Sequence, residues 1–326
     1  MNDNRNEMNQ MDSTTSSVLP HGIIPVVQTP FSPEGSIDWT SLGRLVDDAI
    51  EAGAAGLLAP VVASEVAYLS VPERKEILRF LATHIRGRVP LIVGASSDDP
   101  EICRDMVQVA DEINATAWLV AVPQSHYQAL DRVVPFFRDV TRESSLPLII
   151  QDLQFGGPGL PIPLISELRE QIACFQGIKI ETVPSGPKYS AIREALDPDF
   201  HIAGGWAIPQ MIEALDRGVD AMIPESSMVR VYYAIQRLYE LGKRDEALKW
   251  FRRLLPVLVF TNQELAISIA FFKRLLVRKG LFATDKLRIP GFIWDAYNQR
   301  IADELIELYL DLDSQIQKQL RFEETI

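Results

Sequence analysis

The chain has 326 residues, 47% of them hydrophobic and 23% charged, enough for about two average domains or for one large α/β barrel with an appendage. A core of that extent needs no disulfide or metal staple. With 32 Lys and Arg against 44 Asp and Glu, the net charge of −12 argues against nucleic acid and anionic membranes as partners.

Cys103 and Cys174 are too widely spaced for a disulfide framework or a CxxC motif, and read as reduced thiols. No stretch approaches the roughly 18 apolar residues of a membrane span, and the N-terminus lacks a basic segment followed by an apolar one. The expectation is a cytoplasmic protein. Residues 1–20, rich in Asn, Asp, Ser, Thr and Met without apolar periodicity, read as a flexible tail.

From Gly22 onward, short β-branched or apolar runs recur about every 20 to 35 residues, the spacing of strands each followed by a helix. They cover residues 23–28, 56–61, 90–94, 117–122, 148–151, 175–180, 201–204 and 221–223. Helical patterns lie between them at 41–52, 71–84, 101–113, 130–143, 164–172, 189–196 and 208–217. Glycines at the helix ends, in Glu51-Ala-Gly-Ala-Ala-Gly and Asp216-Arg-Gly-Val-Asp, suit the left-handed turn that sends the chain into the next strand. Eight such units predict an α/β fold, a (β/α)8 TIM barrel over residues 21–228. Residues 229–242, 245–260, 263–279 and 293–319 then read as helices. They supply the last barrel helix and a C-terminal helical region, 229–326, expected to serve packing or assembly rather than chemistry.

A barrel of this type carries its site at the C-terminal ends of its strands. Lys179 stands there, in Phe175-Gln-Gly-Ile-Lys-Ile-Glu, and an ammonium in a run fit for burial calls for a reason. Two readings are open on spacing alone. Lys179 pairs with Glu181, which alternation puts on the same face, or it works as a neutral amine nucleophile. His21, His84 and His201 do not cluster with spaced carboxylates, so no metal is expected. The pairs Gly156-Gly157 and Gly204-Gly205 match neither phosphate-cradling pattern and read as flexible loops able to approach a carboxylate through backbone N–H groups, while Phe155 and Trp206 are candidate pocket walls.

The chain resembles the dihydrodipicolinate synthase and N-acetylneuraminate lyase family of class I lyases. The matches run in order through Gly22-Ile-Ile-Pro-Val-Val-Gln-Thr-Pro-Phe, then Ser64-Glu65 with Leu69-Ser70 and Glu73-Arg74, then Gly177-Ile-Lys, Ala203-Gly-Gly and Gly280-Leu-Phe-Ala-Thr-Asp-Lys-Leu-Arg-Ile-Pro. The resemblance implies that Lys179 forms an imine with the keto group of pyruvate or another 2-oxo acid, with no cofactor, and that the protein is a homo-oligomer, dimer or tetramer. A protonated imine stabilises the carbanion formed on C–C cleavage or proton loss.

Departures from the family are specific. The usual Gly-Thr-Thr-Gly-Glu is here Val61-Val-Ala-Ser-Glu65, so Val62 and Ala63 replace hydroxyl-bearing residues and only Ser64 keeps one. The family tyrosine at the end of the fifth strand falls on Gln151, which does not exchange protons usefully near neutral pH. Pro123 is followed by Gln124 and Ser125 instead of paired tyrosines, which leaves Tyr127, beside His126, as the substitute phenol. Gly156-Gly-Pro-Gly stands where a carboxylate-binding arginine is common.

The sequence reading is therefore a Schiff-base-forming lyase, an aldolase or dehydratase, acting on a 2-oxo acid such as pyruvate or a 2-keto-3-deoxy sugar acid. Lys179 is the nucleophile, Glu181 and Tyr127 move protons, and Ser64, Ala63, Gln151, Gly204 and Glu225 are candidate substrate-binding residues. Glu65 and Glu225, which close the second and eighth strands, are further candidate acids or bases or, alternatively, caps for the backbone. The alternative is a catalytically altered member that binds a small carboxylic acid or serves as an assembly module. A synthase of lysine biosynthesis is disfavoured, since the residues for that reaction are the ones replaced.

Overall fold

The computed structural model describes residues 19–206 and 208–323. Eight parallel strands form it: β1 (Gly22–Ile23), β2 (Leu57–Ala59), β3 (Leu91–Gly94), β4 (Ala117–Ala121), β5 (Leu148–Leu153), β6 (Phe175–Glu181), β7 (His201–Gly204) and β8 (Ala221–Met222). Their order in the sheet is β1-β8-β7-β6-β5-β4-β3-β2. β1 is shorter than its apolar run because Pro25 has no N–H to donate. The ladder resumes at Val26, which bridges both Glu225 beyond β8 and Leu58 of β2, so the two ends of the sheet meet.

Between the strands run α1 (Trp39–Glu51), α2 (Val71–Ile85), α3 (Pro100–Glu112), α4 (Val133–Thr141), α5 (Ile162–Gln171), α6 (Gly186–Ala195) and α7 (Met211–Asp216). Their starts are written locally. Asp38 and Asp99 cap α1 and α3 through backbone N–H groups, and Ser70 with Glu73 forms a capping box on α2. Gly53 and Gly218, after α1 and α7, take φ of 100° and 68°, the left-handed turn anticipated there. α4 begins at Val133, later than its pattern, because Gln124–Gln128 and Leu130–Arg132 form short 3-10 turns ahead of it.

Strand alternation sorts two cores. Ile24, Val26, Leu58, Ile92, Ala117, Leu119, Ile149, Ala203, Ala221 and Ile223 point inward, while Leu57, Val93, Trp118, Ile150, Ile178 and Ile202 pack under the helices. Of the stretch expected to be a flexible tail, residues 1–18 lie outside the described residues. Leu19 departs from that expectation: it is buried with the inward core beside Gly177, where a Cβ would come within 2.9 Å of its methyl. The Pro20 carbonyl faces the His201 ring nitrogen at 3.0 Å.

The C-terminal part comprises α8 (Val229–Glu240), α9 (Arg244–Thr261), α10 (Leu265–Arg278) and α11 (Ala296–Glu323), with α11 packed on α8 and α9. Among the described residues, no helix is long and apolar enough to cross a membrane.

Candidate active site

Lys179, Glu181 and Gln151 share the inward parity of Ile149, so β5 and β6 aim all three into the barrel. Gln151 and Lys179 are register partners, and Lys179 in turn faces Ala203 of β7, itself opposite Ala221 of β8. Two alanines in that layer leave room for the long lysine. Lys179 is 3% exposed, and its ammonium lies 2.9 Å from Glu181 Oε1. The Gln151 amide donates to Glu181 Oε2, and the Trp206 backbone N–H donates to Oε1 at 2.7 Å.

Two backbone features make this possible. A Cβ on Gly205 would sit 2.3 Å from Glu181 Oε1, so only glycine admits the carboxylate there. Trp206 takes φ of 58°, a left-handed conformation that costs a bulky residue of order 1–3 kcal/mol and that turns its N–H toward Glu181.

These groups line a pocket at the C-terminal ends of the strands, together with Ala63, Glu225, Phe155 and Trp206. The last two rings meet edge to face with centroids 5.3 Å apart. Glu225 is buried, and burial pushes its carboxyl up to about 7 against the pull of the Ser227 hydrogen bonds and of Lys279. Its Oε2 accepts from the Ser227 N–H, whereas Oε1, like Gln151 Oε1, has no partner. Two buried acceptors without donors thus belong to residues that line one cavity.

Leu265, Ser268 and Phe272 of α10 also line it. The C-terminal helices were expected to serve packing or assembly rather than chemistry, and α10 in addition supplies part of the pocket lining. Their i, i+3, i+7 spacing puts them on one helical face, a signal present in the sequence but without anything to say what that face covers.

Three expected site residues lie elsewhere. Ser64 does not line the pocket, because its hydroxyl donates to the Val27 carbonyl at 2.6 Å and accepts from the Val61 N–H. Gly204 has the outward parity, and a Cβ there would meet the Tyr189 hydroxyl at 2.9 Å, so Gly205 is the glycine of the site. Tyr127 follows Asp152, which alternation turns away from Gln151 toward the helix layer. The phenol donates to Asp152 Oδ1 at 2.9 Å, and burial with the adjacent carboxylate raises its pKa far above the ordinary phenol value. Lys188 pairs with Asp152 and donates to the Pro158 carbonyl at 2.7 Å. The Leu160 N–H also donates to Asp152, so this cluster pins the loop that carries Phe155.

Glu65 likewise belongs to a separate pair. It takes φ of 59°, and its carboxylate binds Lys273 of α10 and accepts from the Arg288 N–H at 2.8 Å. Burial lowers the Lys273 pKa to about 8, partly offset by Glu65. Among the described residues, no three His, Cys, Asp or Glu side chains converge into a metal-holding group.

Among known proteins, the chain is 28% identical over 286 residues to the L-2-keto-3-deoxyarabonate dehydratase of Azospirillum brasilense, covering 85% of this chain and 91% of that one. It is 29% identical over 170 residues to a putative 2-dehydro-3-deoxy-D-gluconate aldolase of Escherichia coli, 52% of this chain and 56% of that one. In structure it is similar to the 4-hydroxy-tetrahydrodipicolinate synthase of Methylacidiphilum fumariolicum, with a TM-score of 0.82 at 22% identity over 92% of this chain and 99% of that one. An Escherichia coli prophage protein of the dihydrodipicolinic acid synthase family, solved with pyruvate, gives 0.79 at 22% identity over 88% and 98%. These two likenesses bear out the TIM barrel. The model of the Dihydrodipicolinate synthetase family matches residues 19–306, and the chain belongs to that family and is a lyase of the class I aldolase type.

Proposed function

We propose that the chain forms a Schiff base between Lys179 and the ketone of a 2-oxo acid and uses it for aldol cleavage or dehydration. The observation that carries this reading is the Lys179–Glu181 pair, buried and yet open to a cavity. An ammonium cannot attack a ketone, and Glu181 at 2.9 Å is placed to take its proton. As the carbinolamine forms and loses water, the same carboxylate passes two protons in turn to the departing oxygen, the one taken from the ammonium and a second from the attacking nitrogen. The Gln151 amide and the Trp206 N–H hold Glu181 in place throughout. The resulting iminium withdraws electrons from C3, which lowers the barrier to breaking a bond at C3 or C4.

Gln151 Oε1 and Glu225 Oε1, both unpartnered, supply acceptors for substrate hydroxyls or for a proton in transit. Tyr127 takes no part in this scheme, since its hydroxyl is committed to Asp152. Val62 and Ala63 line the pocket at the start of a short 3-10 turn, where backbone N–H groups can receive the substrate carboxylate. The relatives are named as a dehydratase and a putative aldolase, and no observation favours the non-catalytic alternative. Assembly as a homo-oligomer and a cytoplasmic location remain part of this proposal.

Reductive trapping tests it. Incubation with pyruvate and borohydride is expected to add the mass of the reduced adduct to the peptide holding Lys179, and Lys179→Ala is expected to abolish the adduct while melting as a folded protein. An adduct spread over unrelated lysines, or none, overturns the assignment.

A further inference from the structure

The pocket has two ends of different chemistry. Lys179, Glu181 and Gln151 make one polar corner, and among the other side chains lining it only Glu225, Ser268 and the indole N–H of Trp206 are polar. The remaining side chains are aliphatic or aromatic: Val62 from the loop after β2, Leu153 and Phe155 from the end of β5, Trp206 after β7, and Leu265 and Phe272 from α10. This apolar wall is built in advance. Phe155 stands edge to face against Trp206 at 5.3 Å, and its loop is held by Asp152 through the Leu160 N–H and by Lys188 through the Pro158 carbonyl.

The apolar wall runs on past the Lys179 corner, so a substrate seated on the amine and extending beyond its reacting carbons lays its far end against it. Most hydroxyls placed against this wall would lose their water without a replacement partner, since the Trp206 indole N–H and the Ser268 hydroxyl are the side-chain polar groups along it, an unfavourable exchange. An aryl or branched alkyl group would gain burial and, against Phe155 and Trp206, edge-to-face contact.

We propose that the substrate is a 2-oxo acid whose far end is apolar, an aryl or branched alkyl group, rather than a polyhydroxylated sugar acid. The inference rests on Lys179 as the Schiff-base nucleophile. It departs from the substrates that the relatives' names carry, and its basis is the wall itself.

The test measures half-saturating concentrations for cyanoborohydride trapping on Lys179 with pyruvate, 2-oxo-4-phenylbutanoate, 4-methyl-2-oxopentanoate and 2-keto-3-deoxygluconate. The apolar acids are expected to half-saturate at concentrations about 10- to 100-fold below that of the sugar acid. Phe155→Ala, at a half-exposed position whose loss the fold tolerates, is expected to weaken the phenyl acid more than it weakens pyruvate. If pyruvate traps but the sugar acid traps as well as or better than the apolar acids, the substrate class proposed here is wrong and the lyase reading stands. Failure of every acid to trap overturns both.

Discussion

Two buried Lys–Glu pairs stand in this molecule, and they do opposite work. Lys273 and Glu65 have fully buried side chains, and each spare valence is filled from within the chain: Lys273 donates to the Lys286 carbonyl, and Glu65 accepts from the Arg288 N–H. The Phe31 ring closes over the ammonium at 4.2 Å. Lys179 and Glu181 are nearly as buried, but they line a cavity, and two residues that share it, Gln151 and Glu225, each carry a buried acceptor with no donor. A sealed pair can only hold helix to barrel. A pair beside unmatched polar atoms and empty space can exchange a proton with something that arrives. The difference lies in the surroundings, since the residue types are the same.

Removing the sealed lysine is the harshest way to break this contrast. Lys273→Ala strands a buried carboxylate and is expected to cost about 3–5 kcal/mol in urea unfolding, while the protein that remains folded still traps pyruvate on Lys179. A loss below about 1 kcal/mol would show that the sealed pair is not what ties α10 to the barrel.

Glu225 sharpens it next. Its carboxyl is raised to about 7 in the folded state against about 4.5 unfolded, so the stability it contributes is full below pH 4.5 and is lost as pH rises through 7. Glu225→Gln keeps the shape and removes the ionisation. The wild-type chain is therefore expected to lose a few kcal/mol more than the variant between pH 5 and pH 8. Parallel pH profiles would mean that Glu225 reaches water or a cation when ionised. The smallest effect belongs to Tyr127→Phe, expected to cost about 1 kcal/mol of stability through the lost bond to buried Asp152 and to leave turnover unchanged. Normal stability with abolished turnover would restore the phenol to the chemistry.

Much of this was legible in the sequence, because a parallel barrel repeats one rule. Alternation from Ile149 fixes the faces of Gln151, Lys179 and Glu181, and the same rule applied from Ala203 selects Gly205 over Gly204. What escaped depends on contacts that no period encodes. The hydroxyl of Ser64 looks available until the Val27 carbonyl is brought within 2.6 Å of it, and Tyr127 looks close to the site until Asp152 carries it to the other side of the sheet. Leu19 falls in a polar stretch without periodicity, and its role depends on a gap beside Gly177 that is visible only when eight strands have closed around it.

The wall from α10 has a consequence for the timing of activity. Leu265, Ser268 and Phe272 are made after every strand and after Lys179, since synthesis runs from the N-terminus and early segments fold first. Without α10, the amine and its glutamate would face water on the side that Leu265, Ser268 and Phe272 now cover. Water there would screen the charges and compete for the imine. The surface that keeps the site dry is thus supplied by α10, a segment made later than the amine and the glutamate it encloses.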